Sequence, residues 1–350
     1  MAEKAIRLGG ESTADAIVSA VDAMYTEHTF AEKDFALKHN EDEISVDTNF
    51  AAQNFWKEAL IRFFNKKSAV LGLILIVVIV LLAVLGPGMN SYTYSGQDLS
   101  QKNFAPRVPG IEQFGILDGS EKMSTTTGTK VTNAYQEKDK PDVYYWFGSD
   151  LYGRDIWTRT WEGARVSLII AVAAAIIDML IGMSYGLISG YFGGRVDMVM
   201  QRFLEVANGI PRLVIVTLLL LVLQPGMVTI IFALMLTEWV GMSRIARAEM
   251  LKLKDQEFVL ASRTLGAGSF FIIFKEVLPN IIGPIITQVM FSIPTAIFTE
   301  AFLSFVGLGI PVPQCSLGSL ISELYNSFTT HPYQIIPPIV VMSLLMLSFN

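Results

Sequence analysis

Apolar residues in this chain gather in long uninterrupted stretches separated by polar connections. Ala69 to Leu85 reads AVLGLILIVVIVLLAVL without a charged residue. At about 1.5 Å per helical residue, that run nearly crosses a hydrocarbon core roughly 30 Å thick. Further apolar stretches lie at about Ser167–Ile188, Ile210–Leu223, Met227–Met242, Ile281–Phe305 and Ile335–Phe349, of which the second and third are short. The pattern predicts an all-α membrane protein with six transmembrane helices.

The connections set the orientation. Lys57, Arg62, Lys66 and Lys67 precede the first stretch, and Arg195, Arg202 and Arg212 separate the second from the third. Arg244, Arg247, Lys252, Lys254, Arg263 and Lys275 crowd the connection between the fourth and fifth, whereas 223–228 and 307–334 hold no Lys or Arg. Basic connections stay in the cytoplasm, which puts the N-terminus and the loop after the fourth helix there. The connection 86–166 also carries basic residues, but segments of that length cross largely regardless of charge. Five parts follow: an acidic cytoplasmic extension (1–50), an interfacial segment (51–68), the first transmembrane helix (69–85), an extracellular loop or small subdomain (86–166), and a transmembrane core (167–350) with a cytoplasmic loop at 243–280. In the extension, DAIVSAVDAMY has near-helical apolar spacing, which fits short surface helices in either a docking arm or a solvated tail. Phe50, Phe55, Trp56, Leu60, Phe63 and Phe64 alternate with basic residues, as in a helix lying in the inner interface. Turn signals such as VPG, LDGS and TTGT mark 86–145 as a compact polar subdomain.

Composition agrees: 52% of the 350 residues are hydrophobic and 17% charged, against about 25% charged in soluble domains. The first apolar run begins only at Ala69, after an acidic stretch, so no secretory leader is expected. A net charge of −6 gives nucleic acid nothing to bind. The lone Cys315 excludes an intrachain disulfide and a cysteine zinc site, and reads as a small loop residue. No P-loop, H-E-x-x-H or G-x-S-x-G motif occurs. His28, His39 and His331 are too scattered for a metal or a triad, so no catalytic residue, metal or cofactor is expected in this chain.

The strongest constellation is EFVLASRTLGAGSFFIIFKEVLPN, Glu257 to Asn280. Glu257 to Leu265 reads as a short helix, and Gly266 and Gly268 can end it in a backbone conformation closed to bulkier residues. Ser269 can cap a second helix with Phe270, Ile273, Phe274 and Val277 at helical spacing, and Leu278-Pro279 closes or kinks it. The product is a helix–turn–helix elbow offering small and apolar residues to a groove on another protein.

This segment resembles the EAA loop of ABC importer permeases, with Ala261-Ser262 where two alanines are usual, Gly266 at the glycine, and Ile273 with Leu278-Pro279 at the closing motif. WFGSDLYGRDIWTRTWEGARVSL, Trp146 to Leu168, is similar to a segment of the dipeptide/oligopeptide branch, and the N-terminal extension and large first external loop resemble the oligopeptide permeases of Gram-positive bacteria, in their C-type membrane subunit. EAFLSFVGLGIP (300–311), SLGSLI (316–321) and SGYFGGRVDMVMQR (189–202) extend the likeness. The resemblance implies the type I ABC importer permease fold, with an inner interfacial helix and a small extracellular subdomain. It implies an ATPase-coupling loop at Glu257, Ala261, Ser262, Leu265, Gly266, Ala267, Leu278 and Pro279. It further implies an oligopeptide-importing translocation subunit in a bacterial plasma membrane. Its partners would be a homologous permease, two ATPase subunits carrying ATP and magnesium, an extracellular peptide-binding protein and peptide cargo. Ser262 departs from the family alanine by one oxygen, which still permits close packing. The chain stops at Ser348-Phe349-Asn350 inside an apolar helix, where relatives of that family continue into a polar tail, so a continuation is expected.

Ionisable residues inside apolar helices cost about 2.5–3.5 kcal/mol at the bilayer centre on insertion scales, which makes each a candidate. Asp178 can line a translocation path and hold a peptide ammonium, or hydrogen-bond to a neighbouring helix. Glu238 is expected to pair with Arg244, and Glu300 stands as a candidate for an outer gate. Pro284 and Pro294 are expected to kink the fifth helix. Gly153, Arg154 and Asp155 fit a turn opening an amphipathic helix at the outer surface, with Trp157, Trp161 and Arg165 at the interface. Nickel, glutathione or another small solute is the alternative cargo; a non-transporting sensor and a membrane-embedded hydrolase are the rivals from other classes.

Overall fold

A computed structural model of the chain describes residues 55–125 and 128–350. The acidic extension, its expected surface helices, His28 and His39, and the beginning of the interfacial segment lie outside the described residues. The described chain divides into two units at Arg62. The border falls inside α1 (Phe55–Asn65), a helix that exposes Leu60, Ile61 and Phe64.

The second unit is a helical bundle. In α2 (Lys67–Leu85) only Ile79 and Ala83 are buried, as suits a helix that faces lipid and satisfies its backbone internally. α4 (Ile156–Phe192), α7 (Met227–Leu253) and α9 (Ser269–Leu308) are the long helices, and α11 (Ile336–Phe349) closes the bundle. Among the described residues five helices are long and apolar enough to cross a membrane. A sixth crossing requires α5 (Gly194–Gly209) and α6 (Arg212–Leu223) to act as one span bent by 75°. Alone, the 12 residues of α6 fall short of a bilayer's thickness.

Three helices outrun their apolar stretches. α4 starts at Ile156 because the Asp155 carboxylate accepts the Thr158 N–H at 2.8 Å and caps the helix there. α7 continues past Met242 through Arg244, Arg247 and Lys252. α9 begins at Ser269, within the connection expected to hold a separate short helix. It runs through Pro279, Pro284 and Pro294 without a break. Pro279 is tolerated because a π-helical turn, Ile272–Val277, precedes it, and the wider hydrogen-bond spacing of that turn makes room for a residue that has no N–H to donate.

Between α2 and α4 lies a subdomain with an antiparallel hairpin, β1 (Ser120–Thr125) and β2 (Gly128–Asn133), followed by one helical turn, α3 (Ala134–Glu137). Its core is Phe104, Tyr135 and Tyr145. Ser149 fixes it to the bundle by donating to Gln101 O at 2.6 Å and accepting the Phe104 N–H at 2.8 Å, while Gln334, ahead of α11, donates to Ser149 O. α8 (Glu257–Thr264) lies between α7 and α9, at the bundle end opposite the hairpin subdomain, and α10 (Leu317–Tyr325) lies between α9 and α11.

The main core joins α2, α4, α7, α9 and α11 through Ala83, Ala164, Ile170, Ala171, Ile230, Ile297 and Leu345. A second core lies at the α8 end: Leu187, Met242, Ala246, Met250, Val259, Ile273 and Val277. Gly182, Gly186 and Gly190 recur every fourth residue of α4, where added Cβ atoms would lie 2.5 Å from Trp239 O, 2.1 Å from Ser243 O and 2.8 Å from Met250 Cβ. Backbone thus meets backbone along the α4–α7 seam. Gly186→Val should lower the melting temperature of the purified protein, at an overpacking cost of about 1–3 kcal/mol. Gly283→Ala, where an added Cβ meets nothing, should leave it within about a degree or two; equal melting temperatures for wild type and both variants would show that the seam is not close-packed.

Candidate functional site

The elbow is built as a rigid base with an exposed tip. α8 ends at Thr264, Gly266 adopts φ +83°, and two hydrogen bonds close the turn: Gly266 N–H to Arg263 O and Ala267 N–H to Ser262 O, both 3.0 Å. This is a Schellman closure, which needs a left-handed residue just past the helix. Gly268 has an ordinary φ of −70° and is itself the residue before α9, so Ser269 is the first helical residue rather than its cap. Val259, Ile272, Ile273 and Val277 are fully buried in the second core and anchor the base. Arg263 adds a contact over the Tyr191 ring at 5.5 Å. Glu257, Ala261, Leu265, Gly266 and Pro279 are exposed; Ser262, Ala267 and Leu278 are half-buried. Leu265, at the tip, is 88% exposed.

Asp197 locks α5 to this end of the bundle. Its carboxylate takes two bonds from Arg247 of α7, both 2.6 Å, and one from the Ser189 hydroxyl of α4 at 2.5 Å. Sequence reasoning passed over Asp197, although its offset of eight from Ser189 was visible within the SGYFGGRVDMVMQR motif.

The turn expected at Gly153, Arg154 and Asp155 is present and opens α4 at Ile156, but the three residues are buried rather than lying on a surface. Gly153 adopts φ +72°, and an added Cβ would lie 1.8 Å from Asp98 O, so only glycine fits. Burial pushes the Asp155 carboxyl above its ordinary range, against the bonds it accepts from Thr158 and Asn90. Trp161 is buried, Trp157 donates to Gly86 O at 2.9 Å, and Arg165 donates to Ala83 O and Val84 O at the end of α2.

Around Arg154 four charges close a ring. Asp150 Oδ2 accepts Arg154 Nε at 2.7 Å and Arg159 Nη1 at 2.8 Å. Glu323 of α10 accepts Arg159 Nη2 at 2.7 Å on one oxygen and Arg154 Nη2 on the other. Burial raises the Glu323 carboxyl, but the guanidiniums of Arg159 and Arg154 outweigh it and hold the group below its ordinary value. Asp150 and Arg159 lay inside the quoted motif without being singled out. Glu323, more than 160 positions away, carried no local signal.

Asp178 and Glu300 are both buried. Asp178 sits in a π-helical turn of α4 and accepts the Ser292 hydroxyl of α9; its other oxygen has no partner among the described residues. Glu300 is a junction of three elements. It accepts the hydroxyls of Ser167 (3.2 Å), Ser304 (2.8 Å) and Ser316 (2.5 Å), from α4, α9 and the cap of α10. Glu238 pairs with Arg212 at 2.8 Å and not with Arg244, because the α5–α6 bend brings Arg212 alongside the middle of α7. Cys315 is buried, with its Sγ 3.5 Å from Arg159 O.

Comparison with known proteins places this geometry. Residues 182–350 match the family "Binding-protein-dependent transport system inner membrane component", and residues 54–106 match "N-terminal TM domain of oligopeptide transport permease C". The oligopeptide transport system permease protein OppC of Bacillus subtilis is 40% identical over 297 residues, covering 85% of this chain and 86% of that protein. The dipeptide transport system permease protein DppC of Lactococcus lactis is 41% identical over 304 residues, 85% of this chain and 88% of that one. An inward-facing methionine ABC transporter aligns over 53% of this chain and 88% of its own, with a TM-score of 0.46 and 15% identity. On the two family matches and on 40% identity across most of both chains, this multi-pass membrane protein belongs to the inner membrane components of binding-protein-dependent transport systems, in the oligopeptide permease C branch.

Proposed function

We propose that this chain is the translocation subunit of an ATP-driven peptide importer in a bacterial plasma membrane, with its N-terminus and elbow in the cytoplasm and the hairpin subdomain outside. It forms the pathway with a homologous permease, receives motion from two ATPase subunits that carry ATP and magnesium, and receives cargo from an extracellular peptide-binding protein. The chain itself breaks no bond.

The observation that carries this reading is the build of the elbow. Leu265 projects from a turn fixed by backbone hydrogen bonds, over a base sealed into the second core. Such a tip buries almost nothing against its own chain, while its base is packed and hydrogen-bonded in place. Closure of an ATPase dimer around it would move α8 and the start of α9 as one body, and the bundle would exchange inward- and outward-facing states by their different affinities for the closed ATPases. Peptide as cargo is supported by the names of the OppC and DppC relatives.

Leu265→Asp should leave the melting temperature of the chain unchanged and lower ATP-dependent peptide uptake in reconstituted vesicles by roughly 30-fold, the scale of an interface hot spot near 2 kcal/mol. Full uptake by an assembled Leu265→Asp complex would remove the coupling assignment. On the opposite side, Phe114 is 80% exposed beside Ile116 and Leu117, on a loop pinned by the 2.5 Å Arg107–Glu112 pair. Phe114→Asp should weaken delivery from the binding protein, read as a higher binding-protein concentration for half-maximal uptake, with the complex's basal ATPase rate unaltered.

A further inference from the structure

The charge ring of Asp150, Arg154, Arg159 and Glu323 does more than join two elements. Asp150, Arg154 and Arg159 belong to one short segment at the start of α4, and Asp150 is fully engaged within it. One of its oxygens takes the backbone N–H groups of Tyr152 and Arg154, at 2.8 and 2.9 Å, and the other takes both guanidiniums. Asp155, the other buried acid of that segment, is taken up by Asn90 and Thr158, so the two buried guanidiniums share only Asp150 within it. Arg154 and Arg159 have side chains only 5% and 1% exposed, so a second carboxylate is obligatory, since an unpaired buried charge is strongly unfavourable. In this structure Glu323 supplies it from a different element, and its side chain is 28% exposed.

Glu323 also lies on the wall between two cavities of about 440 and 410 Å³. Arg159 lines the first and Arg154 the second, and no other charged residue lines either. The remaining walls offer peptide-like partners, among them Ser319, Ser322 and Asn326 on one side and Tyr94 and Tyr152 on the other. The Arg159 Nε–H has no acceptor among the described residues, which leaves one donor unused beside the ring.

We propose that Arg154 and Arg159 form a carboxylate-binding site, occupied here by Glu323 as an internal stand-in, and that the C-terminal carboxylate of a peptide entering these cavities takes the place of Glu323. The exchange keeps the buried charge constant, because one carboxylate replaces another on the same two guanidiniums. It also frees α10, whose cap residue Ser316 meets Glu300, so occupancy of the site is felt at the junction of α4, α9 and α10. This inference rests on the peptide-import reading and specifies which end of the peptide the membrane subunit recognises.

The test uses the assembled complex in nanodiscs, without binding protein, and a labelled N-acetyl tripeptide with neutral side chains, offered as the free acid and as the C-terminal amide. Removing a tethered competitor raises the apparent affinity of the incoming ligand. Glu323→Gln should bind the free acid about tenfold more tightly than wild type, with the amide unchanged, and Glu323→Asp, which keeps the competing charge, should show no gain. Should Glu323→Gln not assemble, wild type itself must still prefer the acid to the amide. Equal behaviour of acid and amide overturns the proposal; so does a Glu323→Gln complex that gains no affinity for the acid but, in a second titration with the binding protein added, binds that protein more tightly, which would give the site to an acidic side chain of that protein. The peptide-import reading is measured separately, by ATP-driven uptake of an unblocked tripeptide by the wild-type complex. Uptake without an acid preference, or an acid preference without uptake, tells the two failures apart.

Discussion

The close approach of α4 and α7 along Gly182, Gly186 and Gly190 is the contact on which the rest of the molecule depends. Lipid tails are as apolar as leucine, so the hydrophobic effect does not hold two spans together inside a bilayer; close packing and interhelical hydrogen bonds do. Glycine at every fourth position of α4 gives α7 a smooth groove, and Ala246 and Met250 fill it. Both ends of the protein take their positions from this seam. The first turns of α4 carry Arg159 and the Asp155 cap, while the last turns of α7 carry Arg247, which grips Asp197, and Met250, which closes the core beneath the elbow.

Polar groups inside the bundle follow one economy: each buried carboxylate meets a short hydroxyl side chain from another helix. Glu300 gathers Ser167, Ser304 and Ser316; Asp178 takes Ser292. Serine suits this task because it satisfies an acceptor without adding a charge or holding the helices apart. Full charge pairs join segments instead: the ring of Arg154, Arg159, Asp150 and Glu323 beside the subdomain, Arg247–Asp197 at the elbow end, and Arg212–Glu238 between α6 and α7.

Much of this was legible in the sequence, and the rest was hidden for physical reasons. Uncharged runs such as Ala69–Leu85 announce spans because lipid forbids unpaired backbone, and Gly266 announces a helix end because few other residues accept its φ. Helix limits were less visible. Apolarity marks where lipid begins, whereas α4 starts where Asp155 caps it and α9 starts twelve residues before its apolar stretch, supported by the second core. Long-range pairs left no trace at all: nothing near Glu238 distinguishes Arg244 from Arg212 until the 75° bend is known. The Gly-x-x-x-Gly-x-x-x-Gly spacing of α4 was a readable signal of its tightest contact, and it went unread beside the more conspicuous loop motifs.

The length of α9 has a mechanical consequence. Its 40 residues amount to about 60 Å at the ordinary helical rise, roughly twice the thickness of the hydrocarbon core. One end is the base of the elbow, and the other holds Glu300 and Ser304. Three of its stretches are wound with wider or broken hydrogen-bond spacing or contain proline: Ile272–Val277, the region of Pro284 and Pro294, and Ser304–Leu308 with Gly307 at φ +89°. Such a rod departs from regular α-helical winding at defined points. A displacement at the elbow end would therefore pass through these points before it reaches the serines that hold α10 in place.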